Sequence, residues 1–134
     1  MSDALRALHA SAALTFEERV LQAELELLAA NRAAARQRAV DLLSKKVPAD
    51  VAVRATVVLA RAEMFAGDLL RAQQRFLDAR AKAHDLGEPR LIALAFWQHI
   101  DRLLAHLGLE AAASELTAYR RAAQRAAGHD TLAT

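Results

Sequence analysis

Three arginines offer the most specific chemistry in this sequence. Arg54 and Arg61 are seven residues apart, so on a helix they project from one face, and Arg102 stands on a later helix expected to lie alongside. Guanidinium groups that face one another repel unless an anion sits between them or the carboxylates of Glu17 and Glu24 reach across. In the first case Arg54, Arg61 and Arg102 receive a carboxylate or an acidic peptide segment, with Val57 and Met64 supplying apolar contact. In the second they belong to a solvated helix face whose charges pair with their own neighbours.

Other chemistries find less support. His99 and His106 are seven apart on one expected helix, about 10 Å of rise, which is too far for both to hold one metal ion. His84 and Asp85 lie on the preceding helix, and no pair has the three- or four-residue spacing of a helical metal site; His9 and His129 fall near the chain ends. No Cys is present to supply a thiolate nucleophile, a disulfide or a Cys-based metal site. There is no glycine-rich phosphate loop, nucleophile elbow or Glu-x-x-His pair. The expectation is a protein that is not an enzyme and carries neither cofactor nor metal. Nucleic-acid binding is the main competitor to peptide binding. Arg32, Arg36, Arg38, Lys45 and Lys46 form one basic patch and Arg120, Arg121 and Arg125 another, although Asp41 interrupts the first.

The elements that position these residues follow from composition and punctuation. The chain has 134 residues, 54% hydrophobic, with 34 Ala and 22 Leu against 4 Gly and 2 Pro, which fits one all-α domain. The pI of about 9.5 accompanies a net charge of only +2, and 15 of the 18 cations are Arg, so the pI alone implies no polyanion partner. Every apolar run is too short for a membrane-spanning helix and the N-terminus does not read as a signal peptide, so a cytoplasmic location is expected.

A short helix is expected over residues 3–13. Thr15 with Glu18 forms a capping box for a helix bearing Phe16, Val20, Ala23, Leu27 and Ala30, with Asn31 as its stop. Helices over 32–44, 51–66, 69–86, 89–107 and 110–127 follow, bounded by Pro48, Gly67-Asp68, Gly87 with Pro89, and Gly108.

An internal repeat joins them. Residues 66–79 align with 29–42 at an offset of 37, matching Ala29, Ala35, Gln37, Arg38 and Asp41, while Gly67 and Ala72 map onto Gly108 and Ala113 at an offset of 41. Small residues at Ala35, Ala72 and Ala113 are expected to let the second helix of each pair lie close against the first.

On Phe65-Ala66-Gly67-Asp68-Leu69 with Ala72, Phe76 and Ala79, and on Trp97, Ile100, Leu104, Leu107-Gly108 and Ala113, the chain resembles a tetratricopeptide repeat. The likeness is to the longer variety, of roughly 40 residues, seen in signalling regions of bacterial regulators. Thr56, Asp101, Thr117 and Arg120 depart from that pattern. The resemblance implies antiparallel hairpins stacked as a short right-handed α-solenoid of six to seven helices, with units at about 15–47, 49–87 and 88–127. It places Trp97 in the packing layer. It also implies a concave groove built by the first helix of each pair, from Glu17, Val20, Glu24 and Leu27, then Arg54, Val57, Arg61 and Met64, then Ala95, Gln98, Arg102 and Ala105.

The expected role is that of a scaffold holding a peptide or acidic segment of a partner protein. Residues 1–14 are expected to cap the stack or to exchange with a second chain, leaving monomer and homodimer both open, and residues 128–134 to form a flexible tail. Met1 and the lack of a linker lead to the expectation of a stand-alone protein.

Overall fold

Thr15 and Glu18 close their capping box: the Glu18 amide donates to Thr15 Oγ1 at 3.1 Å and the Thr15 amide to Glu18 Oε1 at 3.3 Å. Two donors that a helix start leaves unpaired are thereby satisfied, and α1 runs Phe16–Leu28. The computed structural model describes residues 14–106 and 108–133, apart from the side chains at 97, 101–107 and 126–133. It continues with α2 (Arg32–Leu43), α3 (Ala49–Phe65), α4 (Leu69–Leu86), α5 (Pro89–His106) and α6 (Leu109–Ala133). No strand occurs among the described residues, so the chain is all-α there. The helix expected over 3–13 lies outside them. Helix α6 extends beyond the expected Ala127, carrying Gly128 within it, a residue that weakens a helix by about 1 kcal/mol without ending it.

Helix α3 is the centre of the molecule. Eleven of its 17 residues are buried, whereas α2 and α4 bury three and four. A helix buried on most of its sides needs several neighbours, and α3 packs against α1, α2, α4 and α5. One flank buries Val58, Leu59 and Ala62 against Ala23 and Leu27 of α1 and Ala35 and Ala39 of α2. The other buries Val57, Ala60 and Met64 against Ala72, Phe76 and Ala79 of α4 and Ala95 of α5. Helix α6 closes the far end with Ala112 and Ala122 against Ile92, Phe96 and Ile100 of α5.

Ala35 and Ala72 are fully buried, as their small size suggests. Ala113 is exposed, and Ala112 takes the buried place instead. One residue fewer separates the buried alanine from Gly108 than separates Ala72 from Gly67, so the third pair is not a strict copy of the second.

The first two pairs are close copies. At the end of α1 the Asn31 amide donates to Glu26 O at 2.8 Å and the Ala30 amide to Leu27 O at 3.1 Å. At the end of α3 the Asp68 amide donates to Glu63 O at 3.0 Å and the Gly67 amide to Met64 O at 3.1 Å. Both ends are Schellman motifs, with the left-handed position at Ala30 (φ 62°) and Gly67 (φ 85°). The reversal then lays Arg38 on Glu26 and Arg75 on Glu63, the latter at 3.5 Å, in each case a half-exposed guanidinium on a buried carboxylate. All these pairs of positions are 37 apart in sequence.

Left-handed backbone costs an L-residue about 1 kcal/mol more than glycine, and a Cβ added at Gly67 meets no atom within 4 Å. Ala30→Gly is therefore expected to raise stability by about 0.5 kcal/mol, part of the relief being offset by the freer unfolded chain, and Gly67→Ala to lower it by about 1 kcal/mol. Urea unfolding of the two variants beside wild type checks both signs; a loss of stability in Ala30→Gly contradicts the account.

Candidate functional site

Helices α1, α3 and α5 share one face of the molecule. Between them lies an open depression of about 340 Å³, lined by Leu21, Glu24, Leu25 and Leu28 of α1, Val57, Val58 and Arg61 of α3, and Leu94 and Gln98 of α5. On α1 these residues follow helical spacing over two turns, which sets them in a row along one edge. Leu21 is 43% exposed and Leu28 74%, so the rim presents apolar surface to water.

The sequence-based groove positions divide on this face. Glu24, Val57, Arg61 and Gln98 line the depression. Met64 does not; it is buried in the cluster around Phe76. Val20, Leu27 and Ala95 are core residues as well. On α1 the apolar rim is formed by Leu21 and Leu28, one residue beyond the expected Val20 and Leu27, which turn about 100° away into the core. The side chains of Trp97, Arg102 and Ala105 lie outside the described residues.

Arg54 meets carboxylates of its own chain. Its Nη1 donates to Glu17 Oε2 at 2.6 Å, its Nε to Glu24 Oε2 at 3.3 Å, and its Nη2 to Glu24 Oε1, so that the guanidinium forks on Glu24 and bridges to Glu17. The hydrogen bonds that Arg54 donates to Glu24, with the charges of Glu24 and Glu17, raise the Arg54 pKa above its ordinary value against the opposing effect of burial. Of the two arrangements open to these arginines, Arg54 adopts the one in which Glu17 and Glu24 reach across. Among the basic residues of α2 and the turn that follows it, Arg32 lies over the Phe65 ring at 4.0 Å from its centroid, Arg38 holds Glu26, and Lys45 pairs with Asp41 at 3.3 Å.

A second polar group is buried between α4, α5 and α6. His99 is fully buried, stacked on Phe76 with ring centroids 4.6 Å apart, and its Nε2 lies 2.6 Å from Gln73 Oε1. Its Nδ1 lies 3.6 Å from Glu115 Oε2. Glu115 in turn holds Arg80, whose guanidinium covers the Phe96 ring at 4.6 Å. Burial first, then the charge of Arg80, lowers the His99 pKa to about 4. No group of three or more His, Cys, Asp or Glu able to hold a metal occurs among the described residues. Nor is any helix among them long and apolar enough to cross a membrane. Comparison with models of protein families, with curated proteins and with solved structures finds no match.

Several residues of these sites escape a reading of the sequence. The shift from Val20 to Leu21 is hidden because two apolar stripes run side by side on α1. Gln22, Glu26, Glu63 and His99 carry no sign of burial in themselves, although Glu26 and Glu63 stand 37 residues apart and align as the repeat requires.

Removing the fork on Glu24 leaves two carboxylates facing each other. Arg54→Ala is therefore expected to cost about 1–2 kcal/mol, and Arg54→Glu more, with the loss diminished by salt. Chemical denaturation at low and high ionic strength measures both; an Arg54→Ala variant as stable as wild type contradicts the pairing. For His99, the unfolded side chain takes up its proton near pH 6.5 and the folded one only near pH 4, so its contribution to stability is complete above pH 6.5 and declines as pH falls from 6.5 towards 4. Unfolding free energies measured over that range are expected to fall more steeply for wild type than for His99→Gln. Parallel profiles exclude the assignment.

Proposed function

We propose that this chain is a protein-interaction scaffold, a stack of three helical hairpins similar to the long tetratricopeptide repeat, whose α1/α3/α5 face receives a segment of a partner protein. The matching turns and buried Glu–Arg pairs of the first two hairpins support the repeat reading. The observation that carries the binding reading is the apolar rim of Leu21 and Leu28 beside the 340 Å³ depression. Exposed leucines at helical spacing around a hollow suit an amphipathic segment that lays its apolar residues between the helices. Arg54, engaged by Glu17 and Glu24, serves to hold α1 against α3, and the leucines contribute the contact with the partner. The absence of cysteine from the sequence suits a reducing, cytoplasmic setting.

Affinity capture from native cell extract tests this reading. Leu21→Arg with Leu28→Arg places two charges on the rim while leaving the core untouched, so the thermal midpoint is expected to stay near that of wild type. Recovery of the specific binders is expected to fall at least about tenfold, the consequence of losing roughly 1.4 kcal/mol of interaction. Recovery of the same proteins in the same amounts by both forms overturns the assignment of the face.

A further inference from the structure

A different cavity opens between α1 and α2, away from the leucine rim. It has a volume of about 350 Å³, at the lower end of the range of small-molecule sites, and its lining includes Arg19, Gln22, Arg38, Asp41 and Lys45. Gln22 is only 2% exposed, and its Oε1 has no hydrogen-bond partner. An amide oxygen withdrawn from water and left unpaired is destabilising, and a hydroxyl brought into the cavity would satisfy it.

Comparison of the two hairpins isolates what is special here. Thirty-seven residues on, Arg38, Asp41 and Lys45 recur as Arg75, Asp78 and Lys82, so these three belong to the common framework. Gln22 and Arg19 do not recur. Their counterparts are Leu59, buried in the apolar core, and Thr56, whose hydroxyl donates to Ala52 O at 2.7 Å. The first hairpin thus places an amide where its copy has a leucine, and an extra cation one turn away on the same helix.

The charges around the amide are unequal. Lys45 is matched by Asp41 and Arg38 by Glu26, whereas Arg19 enters no ion pair among the described residues and lies 5.8 Å from the Phe16 ring centroid. A guanidinium and an acceptor oxygen beside one hollow are complementary to a molecule that carries both a negative group and a hydroxyl. We propose that this cavity binds a small hydroxylated anion, a phosphate monoester or a carboxylate, whose charged group rests on Arg19 beside Lys45 and whose hydroxyl donates to Gln22 Oε1.

Calorimetric titration of the full chain tests the site, with glucose 6-phosphate and gluconate as probes and inorganic phosphate and glucose as their separated parts. At least one of the two hydroxylated anions is expected to bind at least about tenfold more tightly than either part, and the stronger of the two identifies the charged group preferred. Gln22→Leu and Arg19→Thr install the residues that the second hairpin carries in the same places. Each is expected to weaken binding by roughly tenfold, the effect of one lost hydrogen bond or ionic contact. Circular dichroism establishes that both variants are folded, and Arg19→Thr, at the half-exposed rim, supplies the same readout should Gln22→Leu fold poorly. Binding of neither anion in preference to phosphate and glucose overturns the proposal, as does undiminished affinity in a folded variant.

Discussion

Each of the first two hairpins closes over a carboxylate withdrawn from water. Glu26 and Glu63 are buried, and each has one oxygen held by an arginine from the opposite helix and one with no partner. A buried charge whose counter-ion is taken away costs several kcal/mol, so any slippage of α2 along α1, or of α4 along α3, that parts the pair is strongly disfavoured. The tight reversals at Ala30 and Gly67 and the salt bridges twelve residues apart therefore impose the same register from two directions. That register decides which residues of α1 reach the core, and hence which face outward on either side of it.

Those two outward sides have different chemistry. One is a leucine rim bordering a hollow shared with α3 and α5; the other is a basic cavity bounded by α2, with the amide of Gln22 at its base. Leu21 and Gln22 are sequence neighbours, and the 100° step between successive residues of a helix separates the two surfaces. The Arg54 fork on Glu24 and Glu17 fastens the helix that bears both surfaces to the central α3.

Much of the architecture was legible because helices announce themselves by period and by punctuation. The capping box at Thr15, the breaks at Pro48 and Gly67-Asp68, and the stripe of Ala72, Phe76, Ala79 and Ala83 all read directly. Conserved letters within the repeat, Gln37 with Gln74 and Arg38 with Arg75, exposed the internal copy. What escaped did so where the letters are degenerate. Alanine gives no hint of a left-handed backbone, so Ala30 becomes visible as a corner only through its alignment with Gly67. Three alanines in a row at 111–113 do not reveal which one is buried. Adjacent apolar pairs, Val20 with Leu21 and Leu27 with Leu28, fit the same periodicity twice over. For Arg54, attraction to a foreign anion and attraction to the chain's own glutamates follow from the same charge, and only the packing of α1 on α3 distinguishes them.

At their left-handed residue the two corners differ by a single methyl group, and that difference has a mechanical meaning. Glycine relaxes at the second bend, whereas the first bend holds a β-carbon in a conformation it resists. Of the two springs, the one at the amino-terminal side is wound slightly tighter against itself. Opening it releases energy that its twin does not store, and the hairpin that carries this tension is the one whose first helix bears both outward surfaces.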